Sequence, residues 1–97
     1  MNIMISQPMR GKPNEQIREE RKYLIKELED QGHKVIDTII SEDAPKDSDE
    51  AIFYLSKSIE MLSKVDAVVF MPGWQQARGC VIEHEVACTY GKFVKYV

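Results

Sequence analysis

Ninety-seven residues, 43% of them hydrophobic, suffice for one domain spanning 1–97, with burial enough for independent folding but a modest margin. A net charge of -3 and a pI near 5.4 argue against a protein that coats nucleic acid polymers or an anionic membrane, because such domains carry a basic surplus. No apolar run approaches the roughly 18 residues of a membrane span, and Met1 leads directly into a strand-like segment rather than into a signal peptide. The expectation is a cytoplasmic protein with one small site.

In chain order, "NIMIS" (Asn2 to Ser6) is a short apolar run ended by "QPMRGKP", whose prolines and glycine forbid an immediate helix; it reads as a buried strand followed by a loop. Asn14 suits the N-cap of a first helix with Ile17, Leu24 and Leu28 on one face, and Gly32 suits its left-handed end. "KVIDTII" is rich in β-branched residues and predicts strand two. After the polar "SEDAPKDSDE", the spacing of Ile52, Leu55, Ile59 and Leu62 predicts an amphipathic second helix.

"DAVVFM" (Asp66 to Met71) reads as a central parallel strand covered on both faces, and Pro72-Gly73 ends it. A third helix is predicted over roughly Gln76 to Tyr90, closed by Gly91, and "FVKYV" forms strand four. Cys80 and Cys88 then lie on one helix with backbones about 12 Å apart by helical rise, too far for a disulfide between them. Alternating strands and helices imply an α/β fold, a small flavodoxin-like or Rossmann-like three-layer sandwich. Its four-stranded parallel sheet is expected in the order 2-1-3-4, with three helices.

In such sheets ligands sit outside the carboxyl ends of the strands, near the switch point between strands one and three. That geometry selects "SQPMRGK", containing Gln7, Arg10, Gly11 and Lys12, and "PGWQQARG", containing Trp74, Arg78 and Gly79. Arg10 and Lys12, with Gly11 permitting close backbone approach, suit a phosphate or carboxylate, or else are solvated loop cations. Arg78-Gly79 puts a cation beside free N–H groups at a helix start, a second candidate anion site. Trp74 reads as an exposed-looking loop residue able to stack on a base or sugar, or as a lid packed on the core.

Glu83 shares a helix face with Cys80, Ala87 and Tyr90 and should be partly buried, whereas Glu85 shares its face with Val81 and should be solvated. A carboxylate near the start of this helix can act as a nucleophile, a general base or an acceptor for a sugar hydroxyl; the alternative is a glutamate favoured by the helix dipole. Cys80, His84 and Cys88 recur every four residues, but only His33 remains as a further soft ligand, so no metal and no cofactor are expected.

With these residues in hand, the chain resembles the nucleoside 2-deoxyribosyltransferase-like superfamily, most closely its short bacterial and phage members. The resemblance rests on "MISQPMRG", "KVDAVVFMPGW" and above all "ARGCVIEHEVACTYGK", with its Gly-x-x-x-Glu-x-x-x-Ala-x-x-x-Gly-Lys spacing, and covers nearly the whole chain. It implies that Glu83 is the nucleophile of a retaining double displacement at the anomeric carbon of a nucleoside or nucleoside 5'-monophosphate. It also implies that the Arg10-Gly11 loop and the Gly79 region cradle a 5'-phosphate, that Asp66 helps order the edge of strand three, and that the protein forms a homodimer or larger homo-oligomer.

Two positions depart from the family pattern. Ala77 stands six residues before Glu83, where family enzymes commonly carry Asp or Ser, and Ser58 stands where they tend to carry Asp. Loss of a positioned hydrogen bond of this kind can slow a reaction by roughly two powers of ten. Two functions follow: an N-glycosidic bond hydrolase or transferase using Glu83, or a non-catalytic nucleotide-binding module on the same fold.

Overall fold

The computed structural model describes residues 1–97. Its elements are β1 (Asn2–Ser6), α1 (Asn14–Asp30), β2 (Lys34–Ile36), α2 (Glu50–Leu62), β3 (Ala67–Phe70), a 3₁₀ turn at Trp74–Gln76, α3 (Arg78–Thr89) and β4 (Phe93–Tyr96). The four strands form one sheet in the order β2-β1-β3-β4, with every neighbouring pair parallel. The α/β architecture, the strand order and the three α-helices agree with the sequence reading.

The order explains the layers. The chain moves from β1 outward to β2, returns past β1 to β3, and then continues to β4, so right-handed crossovers place the first helix on one face and the other two on the opposite face. The core divides accordingly. Ile3, Ile5, Ala67 and Val69 pack with Leu28 of α1, while Met4, Val68 and Phe70 pack with Leu62 of α2 and Ala87 of α3. Alternate residues of β1 and β3 serve the two layers, which is why both strands are apolar at successive positions.

Local chemistry sets the element ends. Gly32, at φ +90, follows the end of α1 and lets the His33 N–H return to the Leu28 carbonyl at 3.1 Å. The Asp49 side chain accepts from the Ile52 N–H and caps α2. Asn14 is not a cap: Pro13 occupies that position in an extended conformation, and Asn14 is the first helical residue. Strand two is also shorter than the β-branched run suggests. Past Ile36, the Asp37 carboxylate accepts from the Ile39 N–H and turns the chain, while the Thr38 hydroxyl reaches the Ile5 carbonyl at 3.4 Å.

The amino edge of the sheet is closely bonded. The Asn2 N–H donates to Asp66 Oδ2 at 2.8 Å, the Asp66 N–H donates back to the Asn2 carbonyl, and Lys92 Nζ donates to the Val65 carbonyl. Asp66 thus orders the start of β3, at the end of the sheet opposite the strand carboxyl termini. No helix is long and apolar enough to cross a membrane.

The predicted stripe of α2 is only partly used: Leu62 is 1% exposed, whereas Ile52 at the other end of the helix is 64% exposed. Leu62→Ala is therefore expected to cost about 2–5 kcal/mol, and Ile52→Ala to stay within about 0.5 kcal/mol of wild type, as read by urea denaturation.

Candidate active site

The carboxyl end of β1 divides two adjacent polar side chains between the helical layers. Ser6 turns toward α3, where its hydroxyl donates to Glu83 Oε1 at 2.8 Å. Gln7 turns toward α1, where its carboxamide donates to the Ile17 carbonyl and to Glu20 and accepts from Arg21 Nε at 2.7 Å. Glu83 is 7% exposed and Glu85 is exposed, as the helix-face reading predicts. Tyr90 departs from that face and is exposed, because it is the residue that closes α3.

Burial pushes the Glu83 carboxyl above its ordinary range; the hydroxyls of Ser6 and Ser58, and the charge of Arg21, act in the opposite direction. Ser58 comes from α2, and its hydroxyl favours the charged form of Glu83. Cys80 is buried beside the same groups. Burial raises its thiol, the Ser6 hydroxyl opposes this, and the Glu83 charge adds to it, so the neutral thiol is favoured. Cys88 is exposed, and both cysteines are free.

The start of α3 is unprotected. Ala77 is its N-cap and has no side chain able to accept from the first-turn N–H groups, so the positive helix end opens beside Arg78 and Gly79. A Cβ added at Gly79 would meet no protein atom within 4 Å, so internal packing does not explain the glycine, and the space beside its backbone is open.

The remaining predicted residues separate into free and engaged groups. Arg10 and Gly11 lie exposed in the turn after β1, with Gly11 at φ +77, and Arg78 is exposed at the first position of α3. Lys12 is not a free cation: it pairs with Glu20 at 3.0 Å and, ahead of Gln7 and Gln16, holds that carboxyl below its ordinary range.

Of the two readings of Trp74, the one packed on the core holds. The side chain is half-buried against Phe70 and stacks on His84 (4.3 Å between centroids) and on Tyr96 (5.7 Å). His84 and Tyr96 lie only 5.7 Å apart, so they share one face of the indole. Trp74 and Tyr96 also line an open depression of about 320 Å³ with Pro72, Gln75 and Val97. The His84 ring bonds the Tyr96 hydroxyl, and no group of three or more His, Cys, Asp or Glu side chains is placed to hold a metal.

Sequence reasoning missed Arg21. It is 2% exposed on the inner face of α1, between Ile17 and Leu28, and its Nη1 donates to Thr38 Oγ1 at 2.9 Å. The signal was present: Ile17, Arg21, Leu24 and Leu28 occupy one helical stripe, and a charge on such a stripe has to be satisfied or used.

The fold and site define a small parallel α/β protein with a buried carboxylate at the switch point of its sheet. The chain belongs to the family described as Domain of unknown function (DUF4406), which matches residues 1–96. No curated protein matches the chain.

Supplying the absent cap should stabilise the fold: Ala77→Ser is expected to add about 1 kcal/mol, read as a melting temperature roughly 4–8 °C higher. Glu83 gives a pH signature. The unfolded chain loses this proton near the ordinary value of 4.5, whereas the fold retains it to higher pH. The associated stability is therefore present below that value and is lost as pH rises through the folded one. Denaturation across pH should find Glu83→Gln more stable than wild type at neutral pH, with the difference closing in acid.

Proposed function

We propose that the protein cleaves or exchanges the N-glycosidic bond of a nucleoside or nucleoside 5'-monophosphate, with Glu83 as nucleophile. The observation that carries this reading is the Ser6–Glu83 pair: a desolvated carboxylate oriented by a hydroxyl at the carboxyl end of a central parallel strand. The resemblance around Gly79, Glu83, Ala87 and Gly91-Lys92 points to the same residue.

In the reaction, a Glu83 oxygen forms a bond to the anomeric carbon as the carbon–nitrogen bond breaks. The bond pair leaves on the base, which takes up a proton from solvent. Water or a second base then attacks the same carbon from the opposite side, releases the sugar with net retention and regenerates the carboxylate. Ser6 fixes Oε1 and with it the direction of the other oxygen. Burial removes the water that would otherwise shield the nucleophile, at the expense of a raised pKa.

The phosphate of a nucleotide would be met by the free cations Arg10 and Arg78, by the Gly11 backbone, and by the uncapped N–H groups of α3 around Gly79. Trp74 and Tyr96 would border the base. Gln7 would act through Arg21 and Glu20, to which its carboxamide is bonded. Asp66 would support the sheet from its far end.

The test is chromatographic detection of free base from a panel of ribo- and deoxyribonucleosides and their 5'-monophosphates. Glu83→Ala is expected to reduce release by at least about 10³-fold. Ser6→Ala is expected to lower it by about 10²-fold and to move the acidic limb of the rate profile to higher pH, because loss of the hydrogen bond leaves the carboxylate less favoured. Absence of release from every substrate, with ligand-induced thermal stabilisation retained in Glu83→Ala, would replace this reading with a nucleotide-binding module.

A further inference from the structure

Arg21 has more hydrogen-bonding capacity than the protein satisfies. Its guanidinium is buried, donates from Nε to Gln7 and from Nη1 to Thr38, and leaves Nη2 with no partner. Neither partner is charged, and no carboxylate lies within salt-bridge distance. Burial pulls its pKa down from the ordinary value, and only the more distant charges of Asp37 and Glu83 act against that. A buried guanidinium held by two neutral groups, with an orphaned donor, is expensive for a fold to keep.

The same residue lines an open cleft of about 320 Å³ between α1 and β2. Arg18, Lys22 and Asp37 supply its charged lining, and Ile25, Val35 and Ile36 its apolar wall. Three cations against one carboxylate leave a surplus of two positive charges. The Arg18–Asp37 pair, at 3.3 Å with both side chains more than half exposed, is weak, so an incoming anion can compete with Asp37 for Arg18. The volume lies at the lower end of the ~300–1,000 Å³ range of small-molecule sites.

We propose that the α1–β2 cleft is a binding site for a phosphoryl dianion, inorganic phosphate or a phosphate monoester, anchored by Arg21 with Arg18 and Lys22 at its mouth. The unpartnered Nη2 is the donor left for a phosphate oxygen, which reaches it as the guanidinium shifts toward the cleft it lines. Gln7 and Thr38 hold its orientation, so little side-chain freedom remains to be lost on binding. Asp37, on the rim of the same cleft, opposes an anion there. The site lies on the α1 side of the sheet, opposite Glu83, and does not depend on the glycosidic reading.

The test is thermal denaturation of the full chain at constant ionic strength with inorganic phosphate, glycerol phosphate or acetate, beside Arg21→Met, Lys22→Ala and Asp37→Asn. Wild type is expected to gain on the order of 5 °C at phosphate about tenfold above its Kd. Arg21→Met should lose this gain while melting no lower than wild type without ligand. Lys22→Ala should bind several-fold more weakly and Asp37→Asn several-fold more tightly.

Phosphate also stabilises proteins by exclusion from their surfaces, and Arg21→Met would keep that part. An equal gain in Arg21→Met and wild type therefore overturns the proposal, as does the absence of any gain in wild type or an equal response to acetate. If Arg21→Met does not fold, the two exposed variants decide: unchanged affinity in both overturns the site. Phosphate binding that is lost in Arg21→Met but survives in Arg78→Ala, whatever that variant does to base release, separates this inference from the phosphate contacts of the proposed reaction.

Discussion

The carboxyl end of β1 is the constraint on which the rest of the molecule depends. The strand is central, parallel to both neighbours and buried on both faces, so each residue leaving it must enter one helical layer or the other. Ser6 and Gln7 are the first polar side chains to do so, and they part in opposite directions. Ser6 fixes the carboxylate of α3 and Gln7 fixes the guanidinium of α1. One peptide step thereby sets two buried ionic groups on opposite sides of the same sheet edge. A shift of one residue would turn Ser6 into the α1 layer and Gln7 toward α3, and both arrangements would fail together.

These ionic groups compensate each other only at a distance. Glu83 favours the charged form of Arg21, and Arg21 favours the charged form of Glu83, but the intervening sheet prevents a direct bond. A direct pair would quench both. Separation leaves Glu83 a desolvated carboxylate with one firm hydrogen bond and Arg21 a desolvated cation with one donor unused. For Glu83, burial raises the carboxyl, and the Ser6 and Ser58 hydroxyls, followed by the field of Arg21, limit that rise. The price of the arrangement is stability.

The legible parts of the fold were those fixed by local periodicity and strand burial. The continuous run at Ala67–Phe70 could only be a strand covered on both faces, and alternation of strands with helices dictated a parallel sheet. Glu83 was legible because Cys80 and Ala87 share its helix face. What escaped depended on contacts distant in sequence or on side chains competing with the backbone. Trp74 read equally as an exposed loop residue or a packed lid, because His84 and Tyr96, on which it stacks, lie on two later elements. Strand two appeared too long because Asp37 turns the chain where β-branched residues alone would extend it. Arg21 was passed over because an apolar stripe was read through it; its acceptors, Gln7 and Thr38, come from segments on either side of α1.

The two ends of the sheet differ in a way that folding alone does not require. At the amino edge, Asn2, Asp66, Val65 and Lys92 satisfy one another through short backbone and side-chain bonds. At the carboxyl edge, a carboxylate is desolvated, a guanidinium donor is orphaned and a helix begins without a side-chain cap. Each feature is unfavourable by itself, and each has a simple remedy in a different amino acid at the same position. Selection for stability alone would remove such features wherever they arose, and chance would scatter those that remained. They instead gather where a parallel sheet admits ligands, and each offers a ligand what the protein withholds from itself: a negative oxygen, a charged donor and a row of free N–H groups. That coincidence is the physical ground for placing both the proposed reaction and the proposed anion site there.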